Sequence, residues 1–125
     1  MTGLTLDTGA LLAIERGDEY MRALLARAIQ NGLEISVPAG VVAQAWRGGP
    51  RQARLSMLLN DPLVDVPRLD EFSAKAVGLV CGRTGHFDVI DTHVYLHART
   101  RGHQIVTSDP GDFRKLGAAA DLIVV

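Results

Sequence analysis

Five aspartates occupy positions from which an α/β chain could bring them together: Asp7, Asp88, Asp91, Asp109 and Asp112. Asp7 closes the β-rich run 4–7, and Asp109 follows a second such run ending at Thr107 and Ser108, so both acids fall at the carboxyl ends of expected strands. Asp88 and Asp91 are three residues apart on one expected helix and share a face; Asp109 and Asp112 repeat that spacing at the start of another. Carboxylates packed together raise one another's pKa and are costly to desolvate, so a cluster persists only where protons, basic partners or a cation neutralise it. A divalent metal meets that demand. Oxygen donors without cysteine favour Mg²⁺ or Mn²⁺, which keep water positions open and bridge to phosphate oxygens.

Helix capping is the competing use. Asp88 and Asp112 stand at helix starts, Asp109 precedes Pro110, and Asp7 precedes a helix, so each taken singly fits the role of an N-cap. Asp91 is different: Val89, Ile90, Val94, Leu96 and Ala98 surround most of its helix, which predicts a largely buried carboxylate in need of a partner. His93 and His97 have the i, i+4 spacing of a helical zinc pair, but at about 100° per residue they point away from Asp91. They are expected to be packed or solvated side chains. His86, in a loop, and His103, at a strand start, have no partner at metal-ligand spacing and receive no role. The chain holds 11 Arg and two Lys, and Arg suits bidentate phosphate contacts. Trp46, Arg47, Arg51 and Arg54, around the flexible Gly48 and Gly49, form a local basic stretch whose aromatic ring could stack a base. A solvated helix face is the alternative.

Strands are expected over 4–7, 33–37, 63–66, 104–107 and 122–125. Helices are expected over 8–16, from Asp18 to Asn31, 38–46, 51–60, 71–83, 89–101 and 110–116, with stops at Gly32, Gly85 and Gly102. Short β-branched strands without polar alternation, separated by helices, indicate a largely parallel sheet covered on both faces, a three-layer α/β/α arrangement. Functional crevices of such sheets lie beyond the carboxyl ends of the strands. At 125 residues with 47% hydrophobic and 22% charged residues, the chain reads as one domain, 1–125, able to bury roughly two-thirds of its unfolded surface. No apolar run reaches the ~20 residues of a membrane span, and an acidic residue at position 7 without a basic leader argues against a signal peptide; the expected location is cytoplasmic. The lone Cys81 is expected to be a small core residue. A balance of 13 basic against 14 acidic residues argues against a strongly basic nucleic-acid binder. If the five aspartates gather in one crevice, however, the rest of the surface is mildly basic.

Leu6-Asp7-Thr8, then Asp88-Val89-Ile90-Asp91-Thr92-His93-Val94, then Thr107-Ser108-Asp109-Pro110-Gly111-Asp112-Phe113, in this order, resemble the motifs of PIN-domain proteins. The chain looks most like the VapC toxins of toxin–antitoxin pairs, nearly end to end. The resemblance implies a PIN-like fold and a metal-dependent endoribonuclease in which Asp7, Asp91 and Asp109 hold Mg²⁺ or Mn²⁺, with Asp112 auxiliary and Asp88 an extra acid one turn earlier. It also implies RNA as substrate, a small antitoxin as partner, and a homodimer. Thr8, Thr107 and Ser108 could then orient waters or phosphate oxygens, and Leu11, Leu12, Val42, Trp46, Leu55 and Leu58 are candidates for an antitoxin groove as well as for the core.

Two positions depart from the family pattern. Gln44 stands where the family usually carries a Glu, leaving only an uncharged carbonyl oxygen to ligate or orient. Gly9 stands where Ser or Ala is common and offers no hydroxyl. Gln44 therefore also supports an alternative, a catalytically weakened domain acting mainly as an RNA- or antitoxin-binding module. A phosphoaspartate receiver is a poorer match, because the acidic pair beside the first strand is absent and Lys115 comes too late after Asp109.

Overall fold

The computed structural model describes residues 2–117 and 121–125. Its strands are β1 (Gly3–Leu6), β2 (Glu34–Ser36), β3 (Val64–Asp65), β4 (Gln104–Thr107) and β5 (Leu122–Val124). All pair in parallel, in the order β3-β2-β1-β4-β5, so the sheet is fully parallel where the sequence predicted a largely parallel one. The helices are α1 (Thr8–Glu15), α2 (Glu19–Gln30), α3 (Ala39–Ala45), α4 (Ala53–Leu59), α5 (Glu71–Thr84), α6 (Val89–Arg101) and α7 (Pro110–Lys115), with a 3₁₀ turn over Pro50–Gln52 before α4.

Strand order determines the layers. From β1 the chain steps outward to β2 and β3, then jumps back across β1 to β4 and on to β5. Because parallel crossovers are right-handed, α1 to α4 cover one face and α5 to α7 the other. The fold is α/β with three layers. The reversal of direction falls between β1 and β4, and the crevice beyond their carboxyl ends is the topological switch point. Gly102, in the left-handed region, turns α6 into β4 within two residues, so α6 runs antiparallel to β4 and begins at the carboxyl edge.

Leu4, Leu6, Ile35, Val37, Ile105 and Val106 are fully buried between the layers, where they meet Leu11, Met21, Leu55, Val94 and Phe113. Leu11, Leu55 and Leu58 are core residues, which removes them from the candidate antitoxin groove; Leu12 and Trp46 stay exposed and Val42 is half-buried. Cys81 is buried as expected, its Sγ 3.6 Å from the Thr92 hydroxyl. Asp18 and Asp70 cap α2 and α5, each accepting at 2.9 Å from a backbone N–H three residues on.

Three histidines are structural. His103 is buried beneath the amino end of the sheet, with Nδ1 2.9 Å from the Thr5 hydroxyl and Nε2 3.1 Å from Glu34 Oε1, and so ties β4 to β1 and β2. That contact, with Arg101 adding to it, holds the Glu34 carboxyl below the usual range. His97 lies 2.9 Å from the Ser36 hydroxyl, and burial with neighbouring cationic groups brings its pKa down to about 4. His93 is buried and likewise pushed down, chiefly by desolvation. The zinc-like spacing of these two therefore serves packing.

Gly3 carries the tightest constraint on this strap. A Cβ there would meet the Glu34 carbonyl oxygen at 2.5 Å and His103 Nε2 at 2.7 Å, and backbone cannot retreat as a flexible side chain can. Gly3→Ala is expected to lower unfolding free energy by about 1–3 kcal/mol, measured by urea denaturation; unchanged stability would refute the constraint.

Candidate functional site

The site is built where β1 and β4 end. Asp7 follows β1 and caps α1, its Oδ1 accepting from Ala10 N–H at 2.9 Å. Its other oxygen, Oδ2, accepts from the Thr107 hydroxyl, and that same hydroxyl accepts from Asp109 N–H at 2.9 Å. Thr107 is fully buried at the end of β4, so one hydroxyl joins the first acid to the backbone of the third. Burial raises the Asp7 pKa and the charge of Asp109 adds to the rise, while the Thr107 and Ala10 hydrogen bonds oppose it. Asp7 therefore fills the capping role with one oxygen while its other oxygen faces Thr107.

Asp88 caps α6, accepting from Asp91 N–H at 2.9 Å. Asp91 sits in the first turn of α6 with its side chain 23% exposed, half-buried where its helix pattern predicted a largely buried carboxylate. Its pKa is nonetheless raised to about 6, first by desolvation and then by the charges of Asp88, Asp112 and Asp7. Asp109 occupies the N-cap position of α7 without making a side-chain capping bond, and Asp112 lies within the first turn of α7 rather than at its cap. Both carboxylates are spared the capping role their positions suggested. Acids from three separate segments, residues 7, 88–91 and 109–112, therefore lie within electrostatic reach of one another. The starts of α1, α6 and α7 meet there too, and their positive ends partly offset the crowding.

Around this cluster, the Thr8 hydroxyl donates to Gln44 Oε1, which brings α3 to the site and places Gln44 beside Asp7. Gly9 has a packing reason: a Cβ there would fall 1.9 Å from Ser108 Oγ, so the Ser108 hydroxyl fills the space residue 9 leaves. Gly40 plays the same part between α3 and α6, with Ile90 Cγ1 2.9 Å from where its Cβ would be. The hydroxyl proton of Thr107 is committed to Asp7 and that of Thr8 to Gln44, and Thr107 also accepts from Asp109 N–H. Trp46 is 40% exposed, but Arg47 turns back onto the carbonyls of Ala43 and Trp46 at 3.2 and 2.7 Å, closing the end of α3. Arg51 is exposed, and Arg54 reaches the Glu15 carbonyl at 3.2 Å. Of the candidate RNA contacts, Trp46 and Arg51 are thus the freer.

His86 is the residue that sequence reasoning missed. Its Nε2 lies 3.8 Å from Asp91 Oδ2. The available signal was Gly85, which ends α5 in the left-handed region and turns the next residue back toward the start of α6.

Among the described residues, no three His, Cys, Asp or Glu side chains form a ready-made metal-binding group. The donor chemistry nevertheless fits a hard divalent cation: the acids are all-oxygen donors, and the repulsion that lifts Asp91 is what a cation would relieve. No protein-family model and no curated protein matches the chain. No helix among the described residues is long and apolar enough to cross a membrane.

The raised Asp91 pKa fixes a sign. Its folded value, about 6, lies above the ordinary 3.8, so the ionised carboxylate burdens the fold, and stability held below pH 3.8 is lost as pH rises toward 6. The displacement corresponds to at most about 3 kcal/mol, lowered by water at the exposed edge to roughly 1–2 kcal/mol. Asp91→Asn in EDTA is expected to stabilise the protein by that amount above pH 6, with the gain shrinking to nothing by pH 3.5. Denaturation across this range checks it, and a gain independent of pH would contradict the assignment.

Proposed function

We propose that the chain is a Mg²⁺- or Mn²⁺-dependent endoribonuclease of the PIN type, acting as the toxin of a toxin–antitoxin pair. The observation that supports this reading best is the gathering of Asp7, Asp91, Asp109 and Asp112 from separate segments at the switch point of a parallel sheet, with the Asp91 carboxyl raised by burial and by the charges of Asp88, Asp112 and Asp7. Such a cluster is costly to the apo fold and gains its counter-charge from a divalent cation. RNA as substrate, a small antitoxin as partner, and a second copy of the chain follow from the motif resemblance. A cytoplasmic location accords with that role.

In this reading Asp7, Asp91 and Asp109 hold the ion. A bound Mg²⁺ or Mn²⁺ supplies Lewis-acid polarisation of the scissile phosphate and lowers the pKa of an attacking water. Thr107 and Ala10 N–H orient the two oxygens of Asp7, so its carboxylate meets the reaction already fixed. Asp112, whose side chain caps nothing, is the acid placed to accept a proton from water. Ser108, exposed beside Gly9, presents its hydroxyl to a phosphate oxygen. Asp88 tightens the first turn of α6 and adds negative charge beside Asp91.

Asp7→Asn is expected to lower Mn²⁺-dependent cleavage of single-stranded RNA by more than about a hundredfold, in matched preparations assayed beside a DNA of the same sequence. Cleavage that survives the substitution would place the chemistry elsewhere, and equal cleavage of the DNA would remove RNA as the substrate class.

One observation favours the second reading, a weakened domain that mainly binds RNA or antitoxin. The carbonyl oxygen of Gln44 already accepts from the Thr8 hydroxyl, so the position offers the ion no charge and only the remaining lone pair of an engaged oxygen. Gln44→Glu is expected to tighten Mn²⁺ binding by about tenfold and to raise turnover. Mn²⁺ titration calorimetry on both proteins decides it: equal affinities would show that residue 44 does not limit the site.

A further inference from the structure

The His86 imidazole is half-buried, and its Nε2 is buried without a hydrogen-bond partner. The chain leaves α5 through Gly85 in the left-handed region, and His86 N–H donates to the Thr84 hydroxyl at 3.2 Å, which itself donates to the Val80 carbonyl at 2.8 Å. These bonds anchor the backbone of residue 86 to the last turn of α5. The side chain is 14% exposed, and Nε2 is the one buried side-chain nitrogen or oxygen among the described residues that has no hydrogen-bond partner. An unpaired buried donor or acceptor costs about 1–3 kcal/mol, so its retention calls for a partner or a use.

Asp91 Oδ2 lies 3.8 Å away, beyond hydrogen-bond length and within reach of a side-chain adjustment of less than about 1 Å. The charges that most strongly raise Asp91 are acids: Asp88, Asp112 and Asp7. Asp88 is itself committed to Asp91 N–H, so it fixes the backbone of residue 91 and leaves its carboxylate unsteered. Among the described residues, the side chain that faces that carboxylate with a hydrogen-bond donor and favours its ionised form is the ring of His86.

We propose that His86 is a positioning residue for Asp91: its Nε2–H donates to Oδ2 and fixes the carboxylate for the cation, much as outer hydrogen bonds orient ligands in metal sites generally. The proposal rests on the reading of Asp91 as a metal ligand. It gives the α5–α6 connection a part in the site, because the Val80–Thr84–His86 chain transmits the position of α5 to Asp91. A neutral donor of the same reach suffices for this task. Glutamine can place its Nε2 where the imidazole places its own, and alanine cannot.

Two measurements test it on the full chain. In Mn²⁺ titration calorimetry, His86→Ala is expected to weaken affinity by about tenfold or more, while His86→Gln stays within about threefold of the parent. Affinity unchanged in His86→Ala, or equal loss in both variants, would overturn the proposal, since a purely space-filling ring would not be rescued by an amide. Asp91→Asn serves as the control for the underlying reading: if it leaves Mn²⁺ affinity intact, Asp91 is no ligand and the metal assignment fails on its own account. The second measurement needs no metal. In EDTA, proton NMR in water is expected to show the His86 Hε2 resonance, assigned by its absence from His86→Gln, shifted downfield by the carboxylate and moving upfield in Asp91→Asn. A resonance that ignores the Asp91 substitution would show that no such hydrogen bond exists.

Discussion

The hydrogen bond from Thr107 to Asp7 joins the two central strands at the point where everything else in the molecule turns. β1 and β4 are neighbours only because the chain reverses direction after β3, and their carboxyl ends diverge into helices on opposite faces. A buried hydroxyl that donates to one strand's acid and accepts from the backbone N–H of the other strand's acid closes that divergence with a single side chain. Threonine suits the place, since it is β-branched and strand-forming and its one hydroxyl can donate and accept together. Valine would pack as well and leave the Asp7 oxygen without its donor, so the polar choice at the core's edge serves the site rather than the fold.

The same junction sets a conflict between stability and charge. Burial of Asp91 and the nearby charges of Asp88, Asp112 and Asp7 oppose its ionisation, and the rise in its pKa is the visible result. The fold tolerates this through local compensation. Asp7 and Asp88 spend part of their charge on the backbone N–H groups of Ala10 and Asp91, and the starting helix turns present positive partial charge to the crevice. Asp109 and Asp112 make no comparable side-chain bonds at the start of α7. The acids thus divide into a pair anchored by capping and a pair left open toward solvent, a division of labour that a uniformly capped crevice would lack.

How much of this was legible in the sequence depended on whether a residue's neighbours lie near it along the chain. The helix ends were readable because Asp18, Asp70, Asp88, Gly85 and Gly102 act within one turn of themselves. The gathering of acids was readable because strand ends in a parallel sheet share one edge. What could not be read were contacts made across the fold: the 2.9 Å meeting of His97 with Ser36, the strap from His103 to Thr5 and Glu34, and the approach of His86 to Asp91. Histidine illustrates the limit well, since of four identical side chains two hydrogen-bond to strand side chains, one is packed in the interior and one faces the acids. Periodicity placed His93 and His97 away from Asp91 correctly, yet it could not distinguish His86 from an idle loop residue. The exposure of Asp91 was misjudged for a related reason: an apolar helix circumference predicts burial only where a neighbour covers each face, and Val89 on the same helix is left 47% exposed.

The near-neutral total of 13 basic and 14 acidic residues is therefore a poor guide to what a phosphate would meet. Acids are concentrated at one edge of the sheet, whereas several arginines are already occupied elsewhere: Arg47 on α3 carbonyls, Arg54 on the Glu15 carbonyl, Arg99 on the Tyr95 hydroxyl and Arg101 on Glu34. Guanidinium groups used in this way stabilise helix ends and connections without losing their charge, so they still contribute to a long-range field while giving up directed phosphate contacts. A polyanion would then be drawn to the surface by diffuse attraction and repelled at the acidic edge until a cation is bound there. Under the proposed function, occupancy of the acidic edge, rather than net charge, is the quantity on which nucleic-acid binding turns.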